Sequence, residues 1–166
     1  MSCDEPHGIA RIQDYYPDDV AHCYGCGRLN EHGHQLKTYW DGDETVTKYQ
    51  PLPYHTAIPG YVYGGLVASL IDCHGTGTAA AVAARLQGIE IDGGAAPAGQ
   101  APRFVTAALN VQYLRPTPLG PELEIRGVVK EAKERKVLVE ITLSANGEVT
   151  ARGEVVAVRM PEEMLG

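Results

Sequence analysis

From Leu66 to Ala84 the chain runs for about 20 residues without a proline, rich in alanine and apolar on nearly every side. That composition makes a helix. A helix with no polar face belongs inside a protein rather than on its surface. Two adjacent glycines, Gly64 and Gly65, introduce the run, and Asp72 sits in the middle of it. A buried carboxylate without a partner is costly, so Asp72 must be neutralised, paired or used in chemistry. The rest of the chain has to supply a surface that wraps this helix.

The flanking segments read as strands. His34–Trp40 and Thr45–Gln50 alternate, with the turn Asp41-Gly42-Asp43 between them. After the helix, residues 87–103 are rich in Gly, Ala and Pro and read as a mobile loop. Four more strand-like segments follow: Phe104–Leu114, Leu123–Glu131, Lys136–Ser144 and Ala151–Met160. In the third, Val137, Val139, Ile141 and Leu143 share one face, and Asn146-Gly147 after it is a strong two-residue hairpin signal. Hairpin-linked strands give a mostly antiparallel sheet, and one long helix must cover a face of it. The expected fold is α+β, a curved sheet around a central helix, without internal repeats. Residues 1–22 read as an N-terminal arm and 23–166 as a single domain.

Composition narrows the function. With 166 residues and 44% apolar content, one domain with a real core is expected. A net charge of −7 argues against nucleic acid or an anionic membrane as the main partner. The helical run is a poor membrane span, because it carries Asp72, His74, Ser69, Thr76 and Thr78. No basic-then-apolar leader opens the chain, and four cysteines in that context suggest reduced thiols in a cytoplasmic setting.

Three blocks stand out in order: Cys23-x-x-Cys26-Gly27-x-x-Asn30-x-x-Gly33, His55-x-x-x-Pro59-Gly60-x-x-Tyr63-Gly64-Gly65-x-x-x-x-Leu70-x-Asp72, and Thr106-Ala107-x-Leu109-Asn110-Val111-x-Tyr113-x-Arg115-Pro116. Together they resemble the hot-dog-fold acyl-CoA thioesterases, in the branch related to the phenylacetate-pathway thioesterase. The resemblance implies an acyl-CoA substrate, a hot-dog fold, assembly into a dimer or a dimer of dimers, and no metal or redox cofactor. This chain departs from the pattern at Tyr63, where that branch usually has histidine.

Thioester hydrolysis needs a polarised carbonyl and an activated water or an attacking carboxylate. A helix N-terminus offers unpaired N–H groups, and glycine lets a carbonyl approach them. Gly65 N–H is the candidate donor, as the resemblance also implies, with Gly64 making the turn. Gly65 and Asp72 lie roughly 10.5 Å apart along a helix. One carbonyl cannot touch both; if both serve one thioester, the Asp must come from a second subunit, acting as general base or nucleophile. The resemblance places Thr106 where a hydroxyl orients the water or the carboxylate. Tyr63, His55 and Asn30 are further candidates for the substrate site. Arg115 leads the candidates for the coenzyme A phosphates, ahead of Arg103, Lys130, Lys133 and Arg135. Gly75 and Gly77 weaken a helix unless something packs closely, and a neighbouring helix across a dimer is the expected partner.

Competing readings are few. Cys23-x-x-Cys26 with His32 and His34 offers four soft ligands, but that spacing is not typical of structural zinc. No Gly-x-Ser-x-Gly elbow marks a serine hydrolase. A hot-dog dehydratase needs a histidine paired with an acid, and Tyr63 occupies the place of the histidine expected there. A non-catalytic acyl-CoA binder is the third alternative.

Overall fold

The computed structural model describes residues 10–89, 91 and 101–165. Most of the stretch expected to be a mobile loop, residues 90 and 92–100, lies outside them. The described residues form β1 (Tyr39–Asp41), β2 (Glu44–Tyr49), α1 (Gly64–Leu86), β3 (Phe104–Tyr113), β4 (Leu123–Ala132), β5 (Lys136–Ala145) and β6 (Glu148–Arg159). The strands build one sheet in the order β1-β2-β4-β5-β6-β3, every neighbouring pair antiparallel.

Alternation explains the sheet. Val137, Val139, Ile141 and Leu143 face the core, as the period-2 pattern requires. At Asn146 and Gly147 the backbone turns with φ of 52° and 77°, the left-handed pair a two-residue hairpin needs. The first expected strand is shorter than its sequence suggests. Gln35 has φ 52°, and His34 and Leu36 give their N–H groups to Tyr24 and Gly25 of the cysteine loop at 2.8 and 3.0 Å. Pairing with β2 therefore begins only at Tyr39.

Helix α1 packs against the sheet, chiefly on β3 to β6, with Leu66, Leu70, Ile71, Ala79, Ala80 and Ala84 fully buried. By length and composition it could cross a membrane, but 78% of its apolar window is buried inside the fold, as in a core helix. It ends where Gly88, at φ 72°, lets Ile89 N–H reach Ala84 O at 2.9 Å. The glycines in mid-helix are not met by another helix. A Cβ on Gly75 would come within 2.5 Å of Val155 in β6, and one on Gly77 within 2.7 Å of Gln13 Nε2 and 2.8 Å of Thr38 Oγ1. Both close approaches are to elements of the same chain, so the expected cross-dimer helix contact is corrected. The chain around Gln13, which opens the described part, is packed against the helix: Ile12, Gln13 and Tyr16 are all buried.

Candidate active site

The start of α1 is exposed. Tyr63 is its N-cap residue, and no side chain caps the turn. Gly64 and Gly65 are therefore the first two residues of the helix rather than a turn before it, which corrects the role expected of Gly64. Backbone bonds in this turn begin with Leu66 N–H to Tyr63 O at 3.1 Å; among the described residues the Gly64 and Gly65 N–H groups have no backbone acceptor. A Cβ on Gly65 would meet the ring of Tyr63 at 2.5 Å, so that exposed ring stands beside the N–H. Tyr113, at the far end of β3, donates its hydroxyl to Gly64 O at 2.7 Å. Tyr113 stands in the third sequence block with no role of its own there; a tyrosine ending a strand is a weak signal until its partner is known.

Two turns along, Asp72 is half-buried and accepts a hydrogen bond from the hydroxyl of Thr106 on β3. A bulge in the β3–β6 ladder falls between Thr106 and Ala108, and such an irregularity re-aims a side chain. Neither Ser69 nor Thr76, the neighbouring hydroxyls in the helix, is the partner; Thr76 bonds back to Cys73 O at 3.2 Å. Burial pushes the Asp72 carboxyl above its ordinary value, against the pull of the Thr106 bond; the nearby Cys23 raises it further and Arg103 lowers it. A carboxylate poised upward and still hydrogen-bonded is what a base or nucleophile near neutral pH requires.

The other candidates divide sharply. His55 is buried; its Nδ1 accepts Leu52 N–H at 3.0 Å, while its carbonyl holds Tyr63 N–H at 3.1 Å. Its action on the site is through the backbone of Tyr63. Asn30 bonds His22 O at 3.1 Å and accepts His32 N–H at 3.1 Å, so its side chain braces its own loop. Arg115 pairs with Glu148 at the surface. Lys130 and Lys133 pair with Glu140 and Glu131 at 3.3 and 2.9 Å. Arg103 is turned inward over the ring of Tyr16, 4.8 Å from its centroid, which removes it from the surface candidates. His74 is fully buried between Thr45 (Nε2, 3.0 Å) and Thr47 (Nδ1, 2.7 Å). Burial pulls its pKa down to about 3 and keeps it neutral.

One further group was not foreseen. Cys73, the residue after Asp72, meets Cys23 and Cys26, and the three sulfurs lie within 4.8 Å of one another. Hydrogen bonds from Cys26 and Cys73 pull the Cys23 thiol below its usual range, and the hydrogen bond to Cys23 helps push Cys26 up to about 12. A hollow on the outer face of the sheet, lined by Arg126, Glu140, Arg152 and Glu154, touches none of these groups.

The same stretch is what known proteins share. The thioesterase superfamily model matches residues 59–152, from just before the helix start into β6. The chain belongs to the thioesterase superfamily. A thioesterase superfamily protein from Shewanella loihica PV-4 is 52% identical, covering 87% of this chain and 98% of its own, with a TM-score of 0.65. Acyl-coenzyme A thioesterase THEM4 of Mus musculus is 30% identical over 114 residues, 69% of this chain and 41% of the mouse protein. The chain thus spans less than half the length of the curated relatives it matches. The E. coli PaaI protein from the phenylacetic acid degradation operon shares the fold at 15% identity, with a TM-score of 0.60 and coverage of 77% and 81%. The sheet wrapped on one long helix is the superfamily's hot-dog fold.

Proposed function

We propose that this protein hydrolyses acyl-CoA thioesters in a homodimer, or a dimer of dimers, with each reaction centre shared between two subunits. Gly65 N–H of one subunit polarises the carbonyl. Asp72 of the partner subunit, oriented by the Thr106 hydroxyl, acts as base or nucleophile. The observation that carries the reading is the Asp72–Thr106 hydrogen bond on the exposed side of an otherwise buried helix. Membership of the superfamily and the mouse acyl-coenzyme A thioesterase support the substrate class.

The sheet edge supports the shared site. Strand β3 pairs with β6 on one side and is the last strand of the sheet, exposed from Thr106 to Asn110. A long unprotected edge invites a second strand. Antiparallel pairing of two β3 strands about a two-fold axis near the middle of the strand runs the Thr106 end of one subunit towards the Tyr113 end of the other. Within one chain Thr106 marks Asp72 and Tyr113 marks Gly64, so this pairing brings a carboxylate to the partner's helix start. A dehydratase is less well supported, since His74 is enclosed in the core and His55 is committed to Leu52.

The decisive experiment mixes two inactive variants. Asp72→Ala and Gly65→Val are each expected to lose thiol release from acyl-CoA substrates. After exchange of subunits the mixture should recover about a quarter of wild-type activity, because half the dimers then hold one intact centre. No recovery in dimers shown to exchange, or a monomer by light scattering, would sink the shared site. A screen of short, medium, long and aryl acyl-CoAs defines the acyl group.

A further inference from the structure

The three sulfurs occupy a built setting. Cys23 and Cys26 lie on a tight loop secured by Gly27 N–H to Cys23 O at 2.7 Å and Leu36 N–H to Gly25 O at 3.0 Å. Two glycines make the approach feasible. A Cβ on Gly25 would collide with Cys73 Sγ, and one on Gly27 would come 2.5 Å from Cys23 N. Cys23 Sγ and Cys73 Sγ are 3.9 Å apart. Tetrahedral zinc, with Zn–S near 2.3 Å, places its sulfurs about 3.8 Å apart. No histidine joins the group among the described residues: His34 Nδ1 faces Tyr49 at 3.0 Å and His32 is at the surface beside Glu31.

The surroundings also suit a metal thiolate. Arg103 is anchored to Phe104 O at 2.6 Å and Val20 O at 3.4 Å, and among the described residues it has no carboxylate in ion-pair contact. Its guanidinium lies over the ring of Tyr16, 4.8 Å from the centroid. A divalent ion with three thiolates carries one net negative charge, which this guanidinium offsets. Tyr16 is 1% exposed, and among the described residues its hydroxyl has no hydrogen-bond partner. A buried donor left without an acceptor is costly, and thiolates held by a metal are stronger acceptors than neutral thiols.

We propose that Cys23, Cys26 and Cys73 form a binding site for a thiophilic divalent metal of the zinc class. The ion clamps the loop of Cys23 and Cys26 onto α1 at the residue next to Asp72. Its effect is to hold the helix segment that presents the carboxylate; it takes no part in the chemistry. Cys73 is the member that pairing the two loop cysteines with His32 and His34 overlooks.

The test is metal content, independent of turnover. Protein produced with added zinc and purified under reductant, without chelator, is expected to hold about one zinc per chain by elemental mass spectrometry. Cys26→Ser and Cys73→Ser, checked for folding by circular dichroism, should lose at least about tenfold in affinity. Cobalt(II) added to stripped wild-type protein should give thiolate charge-transfer and tetrahedral d–d bands, a readout that needs no variant to fold. Absence of both zinc and cobalt bands in wild type overturns the site. So does Cys26→Ser holding as much zinc as wild type, or an intact mass showing a disulfide in place of metal. Wild-type protein that takes up neither zinc nor cobalt yet hydrolyses acyl-CoA would remove this site and leave the hydrolase reading standing.

Discussion

Asp72 and His74 are two residues apart in one helix, both polar in an apolar run, and the fold treats them oppositely. His74 is sealed against β2, each ring nitrogen answered by a threonine, and burial keeps it uncharged. Asp72 is only half-buried, answered by one hydroxyl from an edge strand, and burial raises its pKa without enclosing it. The two glycine pairs repeat the contrast. Gly75 and Gly77 exist so that Val155, Gln13 and Thr38 can come close, whereas Gly64 and Gly65 are exposed with unspent N–H groups. Polarity in a buried helix therefore does not mark chemistry by itself. Which side of the helix it faces does.

The largest effect should come from Asp72→Asn, which is expected to lower kcat by about 10²- to 10⁴-fold in thiol-release assays while leaving the denaturation midpoint unchanged or higher. The contrast breaks if a folded His74→Gln variant loses as much turnover. Next, Gly75→Ala should cost about 1–3 kcal/mol of stability in urea titrations, because its methyl overpacks against Val155. Gly65→Ala meets only the outer atoms of an exposed ring, so it should leave stability intact and reduce activity. Equal destabilisation by the two would erase the distinction between the pairs.

A third comparison uses pH. The folded pKa of His74, about 3, lies below the ordinary imidazole value, so the unfolded chain binds the extra proton first. Stability from this group is present above about pH 6.5 and falls as pH drops towards 3. From pH 7 to 5 the loss is about 2 kcal/mol, with His34 and His55 acting in the same direction. His74→Gln should flatten that slope in urea midpoints measured at several pH values. The smallest effect concerns Thr106. With ionised Asp72 as the proposed base or nucleophile, activity should rise with pH through a midpoint above the ordinary carboxylate range. Thr106→Val removes a bond that favours the charged form, so the midpoint should move further up. A downward shift in the pH profile would exclude the orienting role.

The architecture was readable because periodicity is local. Val137 to Leu143 alternates, Asn146-Gly147 turns, and the run after Gly65 can only be a buried helix. Asp72 was readable as an anomaly in that run. What sequence could not supply were contacts between distant segments. Cys73 joins cysteines 50 and 47 positions away, as the difference of their numbers gives, and only the packing of the loop on α1 brings them together. The partners of Gly75 and Gly77 depend on β6 and on the chain around Gln13 reaching the same helix, which no spacing announces. Strand order, and with it the exposed edge at β3, depends on how the hairpins stack rather than on any one of them.

The threonines that grip His74 have a consequence for how the sheet is assembled. Thr45 Oγ1 also meets Thr78 Oγ1 at 2.6 Å, and Thr47 Oγ1 meets Thr38 Oγ1 at 3.1 Å, so a polar thread crosses the interior through one imidazole. Thr45 and Thr47 share a face of β2 because they are two apart, and a slip of one residue would turn both outward. The imidazole then works as a gauge. It accepts β2 at a single offset and strands itself, unsolvated on both nitrogens, at the next.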